Sequence, residues 1–560
     1  MNPRDAIIDR TELLRRWNEL KLERATWMAH WADLSRFMLP RNGRFFIQDR
    51  NRGTRRHNEI HDSTATRASR ILAAGMMSGL TSPARPWFRL RTPDPELNKS
   101  QAVKVWLNDV TQLILAVFAK SNTYRALHQT YSELGVFGTA ARIVEPDFRT
   151  VLHNHSMTVG EYAIATDWQG KVNTLAREIE RPVAEVVHEF GKENCSATVR
   201  SMFEAGTLGA WVPIIHIIEP RADRDPNSKL ARDMPWRSVY FEKGGDQTKT
   251  LRDGGYKEFP GIVSRWDVAG GDIYGNSPGM EALGDVKQLQ QEQLRKGQAI
   301  DYGTKPPVTA PSSMKNAEVD MLPGGVTYGE GEIKPTFQVN LRLDHLLEDI
   351  RDVRQRINGS FYTDIFLMLQ QIEVGRMTAT EVAARQEEKL LMLGPVTERL
   401  NDEEAQPLVD RAFRMLLAAG ALPPPPRELQ GMDLQVELTG ILAQAQRAIG
   451  ANTVDRFVGN LGQIATFAPG VLDKFDADAW VDVYADQLGV DPNLVVAAQQ
   501  VALIRNNRAQ QAQQAQQAAV ANSQADTVQK LGNTPLDGGS ALAALVSHGG
   551  LAQTDNPAIR

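Results

Sequence analysis

Residues 277–300 read SPGMEALGDVKQLQQEQLRKGQAI, and the fold turns on how this stretch is understood. Ser277-Pro278 opens a helix: proline suits the first helical position, where its missing N–H is not needed, and Glu281 and Asp285 sit near the positive end of the dipole. Lys287, Gln288, Gln290, Gln291, Glu292, Arg295 and Lys296 make the rest polar, and only Met280, Leu283, Val286, Leu289 and Leu294 form an apolar seam. A helix so patterned cannot be buried all round. It packs along one edge and faces water elsewhere, over more than ~30 Å at ~1.5 Å per residue.

Downstream, Pro306-Pro307, Pro311, Pro323-Gly324-Gly325 and Gly329 break the helix and predict a compact excursion over 303–340, with short strand candidates. A second long helix is expected over 341–369. Leu343, Leu346, Leu347, Ile350, Val353 and Ile357 form its stripe, while Arg342, Arg351, Arg354 and Arg356 balance Asp344, Glu348, Asp349 and Asp352. After a short loop, Thr378-Ala379-Thr380-Glu381 is a capping box and predicts a third helix over 378–420, kinked at Gly394-Pro395.

Upstream, Leu13, Trp17, Leu20, Arg24, Trp27, Trp31, Leu34 and Met38 recur at steps of three or four, an amphipathic helix ending near Pro40. Its tryptophans read as core anchors, with a base-stacking platform as the weaker alternative. The next segment carries Arg41, Arg44, Arg50, Arg52, Arg55 and Arg56 around Phe45 and Phe46. It suits a solvated loop or a contact with a neighbouring acidic subunit, and its arginine-aromatic mixture also suits nucleic acid. Asp62-Ser63 supplies capping side chains for an Ala-rich helix towards Gly79. Between Pro86 and Pro278 one helix, 101–120, mixes with strand-like runs at 140–144, 158–166, 212–218 and 239–241. There is no regular alternation of the two, so the class is α+β and mainly helical. Helices are expected again over about 440–505, followed by a low-complexity Gln/Ala and then Gly/Asn/Ser-rich end.

The 560 residues carry a net charge of −5, which argues against a surface that wraps nucleic acid, though local contacts stay open. The single cysteine, Cys195, excludes an intrachain disulfide framework and fits a reducing compartment. The longest concentrated apolar stretch, at 214–218, is far short of a bilayer span, and the N-terminus has no signal-peptide core, so no membrane is expected. No phosphate-cradling Gly-x-x-x-x-Gly-Lys loop and no His-Glu-x-x-His helix occurs. His57 and His61 could share a helical face as metal ligands, but beside an arginine cluster they read as ordinary histidines, and His153 and His155 share one side of a strand without a third ligand. Asp402-Glu403-Glu404 reads as a solvated helix face, not a two-metal site. No catalytic, cofactor or metal residue is assigned.

The order of long helix, Pro/Gly tip, long helix, short loop and kinked helix resembles the portal proteins, or head-to-tail connectors, of short-tailed bacteriophages. The residues that carry the resemblance are His61-Asp62-Ser63-Thr64-Ala65 through Leu80 to Trp87, Tyr274-Gly275-Asn276-Ser277-Pro278 with Leu283-Gly284-Asp285, and Gly375-Arg376-Met377-Thr378-Ala379-Thr380-Glu381-Val382. The resemblance implies a ring, typically a dodecamer, at one capsid vertex. It divides the chain into a wing (1–276), a first stem helix (277–302), a clip (303–340), a second stem helix (341–369), a tunnel loop (370–377), a kinked wing helix (378–420), a crown (421–505) and a C-terminal end (506–560). It implies a non-enzymatic conduit for double-stranded DNA, with the terminase large subunit, tail adaptors, capsid and scaffolding proteins as partners, in the virion and, during assembly, in the host cytoplasm. Arg376, with Glu373, is then expected to face DNA in the tunnel loop; Lys287, Arg295 and Lys296 are candidates for the channel face, and Arg50, Arg52, Arg55 and Arg56 for a basic contact loop. The other readings are a different virion component, such as a tail adaptor, or a metal-dependent nuclease.

Overall fold

The computed structural model describes residues 10–45, 56–94, 96–222, 224–225, 227–228, 230–244, 250–304, 307–315, 332–335, 343–367, 393–429, 434–440, 457–488, 494–496 and 498–532. The chain divides into two compact units, Met1–Leu472 and Asp473–Arg560.

Helix α1, Arg10–Phe37, follows the expected stripe, with Leu13, Trp17, Leu20, Arg24, Trp31 and Leu34 buried. The tryptophans are core anchors: the Trp31 indole donates to the Phe137 carbonyl, and Trp27 and Trp31 lie against the Tyr274 ring. Arg24 is tolerated in this seam because its guanidinium donates to the carbonyls of Gly160 and Tyr162. Helix α2, Thr64–Leu80, is opened by Asp62, whose Oδ1 accepts from the Thr64 amide at 2.8 Å; Ser63 makes no capping bond.

Helices α3, Gln101–Lys120, and α4, Thr123–Phe137, follow strand β1, Phe88–Arg91. By length and composition α3 is apolar enough to cross a bilayer, more so than the 214–218 run, yet Val103, Trp106, Val110, Ile114 and Phe118 are buried in the protein core. Strands β2 (Thr139–Asp147) and β3 (Val151–Met157) begin the sheet region, followed by β4 (Tyr162–Thr166) and β5 (Val172–Pro182). Two short helices, α5 (Val183–Phe190) and α6 (Ala197–Glu204), precede β6 (Trp211–Pro220), β7 (Trp236–Glu242), β8 (Arg252–Tyr256) and β9 (Gly261–Arg265).

These strands form an antiparallel five-stranded sheet in the order β4-β5-β6-β7-β8 and a three-stranded sheet, β3-β2-β9. Leu13, Trp17 and Leu20 of α1 cover one face of the larger sheet through Ile215, Ile217 and Phe241. On the opposite face Val183, Val186, Cys195 and Val199 pack on Val212, Ile214 and Tyr240. The α+β reading therefore holds, with alternate residues of β6 serving two separate cores. Cys195 is buried, its thiol donating to the Gly191 carbonyl, and burial pushes its pKa up to about 11: it is a structural residue.

Helix α7, Pro278–Thr304, and helix α8, Leu343–Ser360, flank the short antiparallel pair β10 (Val308–Thr309) and β11 (Lys334–Pro335). α8 is interrupted after Ser360, and residues 363–367 are helical again; 368 and 369, the end of the expected helix, lie outside the described residues. Tyr362 takes the left-handed conformation at φ 53°, which turns Phe361, Ile365 and Phe366 into the core. Phe366 fills the space over Gly75 of α2, where a Cβ would come within 2.3 Å of its ring. Helix α9, Gly394–Leu400, has Pro395 in its first turn, so this proline opens the described helix.

The irregularity lies further on. Residues Asn401–Ala405 form a π-helical turn before helix α10, Gln406–Ala418. Pro407 has no N–H to give the Glu403 carbonyl, and the wider turn with a contact from Ser264 Oγ at 3.5 Å accommodates that loss. Of the acidic run here Asp402 is exposed, as expected, but Glu403 and Glu404 are not a solvated face. Glu404 is 2% exposed, with its Oε1 2.5 Å from Arg142 Nη2, and Glu403 binds the Arg265 guanidinium and backbone amide. Strand β12, Gln435–Leu438, pairs with β1, joining the 421–505 span to the N-terminal part of the chain. In the second unit, helices α11 (Ala477–Leu488) and α12 (Ala498–Gly532) carry a two-point ion pair between Arg505 and Asp478.

Candidate functional site

The site is the α7–α8 pair and its anchorage. Along the first half of α7 the seam is as expected: Leu283, Val286 and Leu289 are buried, facing Ile350, Val353 and Ile357 within one core. Leu294 departs from it. It is 46% exposed, and Ile300 and Tyr302 beyond it are exposed as well, so the distal half of α7 stands clear of the protein body.

One polar knot ties the proximal half in place. Gln290 of α7 is buried; its Oε1 accepts from the amides of His61 and Asp62 at 2.7 and 2.8 Å, and its Nε2 donates to the Asp62 carbonyl. Gln293 donates to Asp62 Oδ2, and Arg354 of α8 does so at 2.6 Å. The same carboxylate opens α2. Burial opposes its charge, but hydrogen bonds from Thr64 and Arg354 outweigh that and hold the Asp62 pKa below the usual carboxylate value. One side chain thus opens α2 and ties it to the middle of α7 and of α8.

The remaining charges are largely neutralised within the chain. α7 carries Lys287, Arg295 and Lys296 against Glu281, Asp285, Glu292 and Asp301; α8 carries Arg351, Arg354 and Arg356 against Asp344, Glu348, Asp349 and Asp352. Arg356 bridges the helices to Asp285 at 3.2 Å and pairs with Asp352 in its own helix. Burial, with Asp349 alongside, raises the Glu292 pKa. The surface of the pair is near neutral, with no run of cations to hold phosphates.

Of the candidate channel residues, Lys287 is taken up by α1: its Nζ lies 2.6 Å from Asp33 Oδ2 and 5.9 Å from the Phe37 ring centroid. Arg295 is exposed and Lys296 half-buried, and neither makes an ion pair among the described residues. Arg56 is half-buried and partnered, while Arg50, Arg52 and Arg55 lie outside the described residues, as do Arg376, Glu373 and the whole loop 370–377. His57 and His61 sit on turn and bend backbone, not on a shared helical face. His153 and His155 do share a side of β3, their rings 4.7 Å apart, with His155 beside Glu145. Among the described residues no group of three or more His, Cys, Asp or Glu side chains could hold a metal.

Sequence reasoning missed Gln290 as a binding residue, because a glutamine on a polar helix reads as solvent-facing. Its signal was its place beside Leu283, Val286 and Leu289 on the buried side of α7.

Residues 10–496 match the family described as bacteriophage head to tail connecting protein. The chain is 60% identical over 530 residues to a probable portal protein of Bordetella phage BPP-1, covering 94% of this chain and 96% of that one. It is 45% identical over 551 residues to the portal protein of Salmonella phage epsilon15, covering 97% and 99%. A chain in the neck of an empty gene transfer agent particle aligns over 79% of this chain and 95% of its own at 10% identity, with a TM-score of 0.34, too low to support argument. The two portal relatives and the match over most of the sequence place this chain in the bacteriophage head to tail connecting protein family, whose role is that of a portal at the capsid vertex.

Proposed function

We propose that the protein closes into a ring, with twelve subunits as the expected number, and passes double-stranded DNA through its centre during packaging and ejection. The observation that carries this is the α7–α8 pair: held to the body through its buried seam and Asp62, with Leu294, Ile300 and Tyr302 beyond that tie exposed, and a near-neutral surface along its length. Apolar side chains standing clear of one chain are covered when copies stand side by side around an axis. Near neutrality suits sliding, because each neutralised phosphate would add a counterion-release contribution that holds the duplex.

In this reading α7 and α8 are the stem and 303–340 is the clip, which meets the terminase large subunit and later the tail adaptors. The body before residue 277 is the wing, contacting capsid and scaffolding proteins. Residues 370–377 are the tunnel loop, in which Arg376 contacts DNA while Glu373 pairs with a neighbouring subunit. Residues 378–420 are the kinked wing helix and 421–505 the crown. The role is structural, performed in the virion after assembly in the host cytoplasm, and the packaging ATPase is a separate protein.

Electron microscopy of the purified protein tests the ring; closed rings with a central opening are expected. For the loop, an Arg376→Ala variant is expected to assemble normally and to lose packaged DNA. Normal packaging and retention would remove Arg376 from the gating role while leaving the ring intact.

A further inference from the structure

The five-stranded sheet ends in a tryptophan that the portal role leaves unexplained. Trp168, at the turn between β4 and β5, is 91% exposed. The turn beneath it is firmly built. Asp167 Oδ1 accepts from the amides of Gln169 and Lys171, both at 2.9 Å, and the Asp167 amide donates to the Lys171 carbonyl at 2.8 Å. Gly170 takes the φ of +79° that the turn needs. Its carbonyl accepts from Arg265 Nη2 at 2.8 Å, and the same guanidinium is held by Glu403. A large indole is therefore presented to solvent on a rigid mount, the form of an interface anchor, since little ordering entropy remains to be lost on contact.

The opposite end of the same sheet carries a second exposed apolar site. β5 has 11 residues, Val172–Pro182, about 33 Å end to end at ~3.3 Å per step, and Pro182 pairs with Trp211. Beside this end Leu208 is 44% and Trp211 48% exposed. The strap that holds them is bonded to α5 through Ala184 N to Leu208 O and Val183 N to Ala210 O. One apolar projection and one apolar seat at opposite ends of a single rigid element form a head-to-tail arrangement, and head-to-tail contacts generate rings when the rotation closes. DNA is the poorer occupant for Trp168. A duplex offers phosphates and no open base faces, and the loop braced by Arg265 exposes Asp267 and Asp272.

We propose that Trp168 of one subunit seats on the Leu208–Trp211 end of the next copy, so that the sheet is an intersubunit strut of the ring. This rests on the ring reading. The test measures the protein concentration at which full-length chains half-assemble, by analytical ultracentrifugation, for wild type, Trp168→Ser, Trp168→Phe, Leu208→Asp and the Trp168→Ser/Leu208→Asp double variant. Each substitution lies on an exposed side chain, and an unchanged thermal melt checks the fold of the isolated chain. Trp168→Ser and Leu208→Asp are each expected to raise that concentration about tenfold or more, the size of a hot-spot loss. Trp168→Phe is expected to restore most of it, and the double variant to be no worse than the weaker single, because the two residues share one contact. Single variants that assemble like wild type, or losses that multiply in the double variant, overturn the strut and leave the ring standing. Failure of the wild type to assemble at any concentration overturns the ring and the strut with it.

Discussion

The body around β2 and the α7–α8 pair handle charge in opposite ways. In the body, charges are buried and completely enclosed: Arg142 lies 1% exposed with Glu404, and its other nitrogens donate to Asn154 and Thr130 at 3.0 and 3.1 Å. Along the helical pair, most charges other than Glu292 lie at the surface, as with Lys287 and Asp33, which are 43% and 41% exposed, or Arg356 and Asp285. Burial makes an ion pair indispensable once formed, because removing one partner strands the other in low dielectric, whereas water screens the loss of an exposed pair. The helices are held by the buried seam of Leu283, Val286, Leu289, Ile350, Val353 and Ile357, with the Asp62 knot as their main buried polar tie.

Breaking the enclosed pair is expected to have the largest effect. Arg142→Met should destabilise the protein by about 3–5 kcal/mol in urea unfolding, and a loss under ~1 kcal/mol would show that water reaches Glu404 and would erase the contrast. Next is Glu133, buried on α4, which accepts hydrogen bonds from Thr158 Oγ1 and Asn42 Nδ2 and so clasps the chain after α1 to the turn before β4. Burial, opposed by these hydrogen bonds, raises its pKa to about 7. Its folded value lies above the unfolded one, so the stability it contributes is fully present below pH ~4.5 and is lost as pH rises through ~7, on the order of 3 kcal/mol in all. Glu133→Gln should remove that slope, and unfolding curves of the two proteins across pH 4.5 to 8 should diverge accordingly. Identical slopes would contradict it.

Asp62→Ala should be milder, about 1–2 kcal/mol, since Arg354 keeps access to water. Its specific signature is in hydrogen exchange: amides at the start of α2 and along the proximal halves of α7 and α8 should lose protection together. Lys287→Ala should cost under ~1 kcal/mol. A larger loss would mean that α1, and not the Asp62 knot, is what holds α7.

The helices that decide the architecture were legible in the sequence because their burial is one-sided: the α1 stripe and the Leu283, Val286, Leu289 seam are periodic signals that burial obeys. Asp62 was legible as a cap but not as a tie, since capping is local while Gln290 and Arg354 arrive from more than two hundred residues away. In the Asp402-Glu403-Glu404 run the last two acids depart from a solvated face for a similar reason. Three acids in a row suit a wet surface unless arginines from other strands meet them, and Arg142 and Arg265 lie far off in sequence. β9 escaped notice because all of its residues are buried, and alternation disappears when neither face is wet. The π turn could have been anticipated from Pro407, a proline inside a helical pattern.

The central claim, that this chain builds a closed ring around a DNA-wide opening, is tested most directly by electron microscopy of the purified full-length protein at rising concentration. The account expects closed rings of uniform subunit number with a central channel wide enough for duplex DNA. Monomers at every concentration, or assemblies with no axial opening, would contradict it.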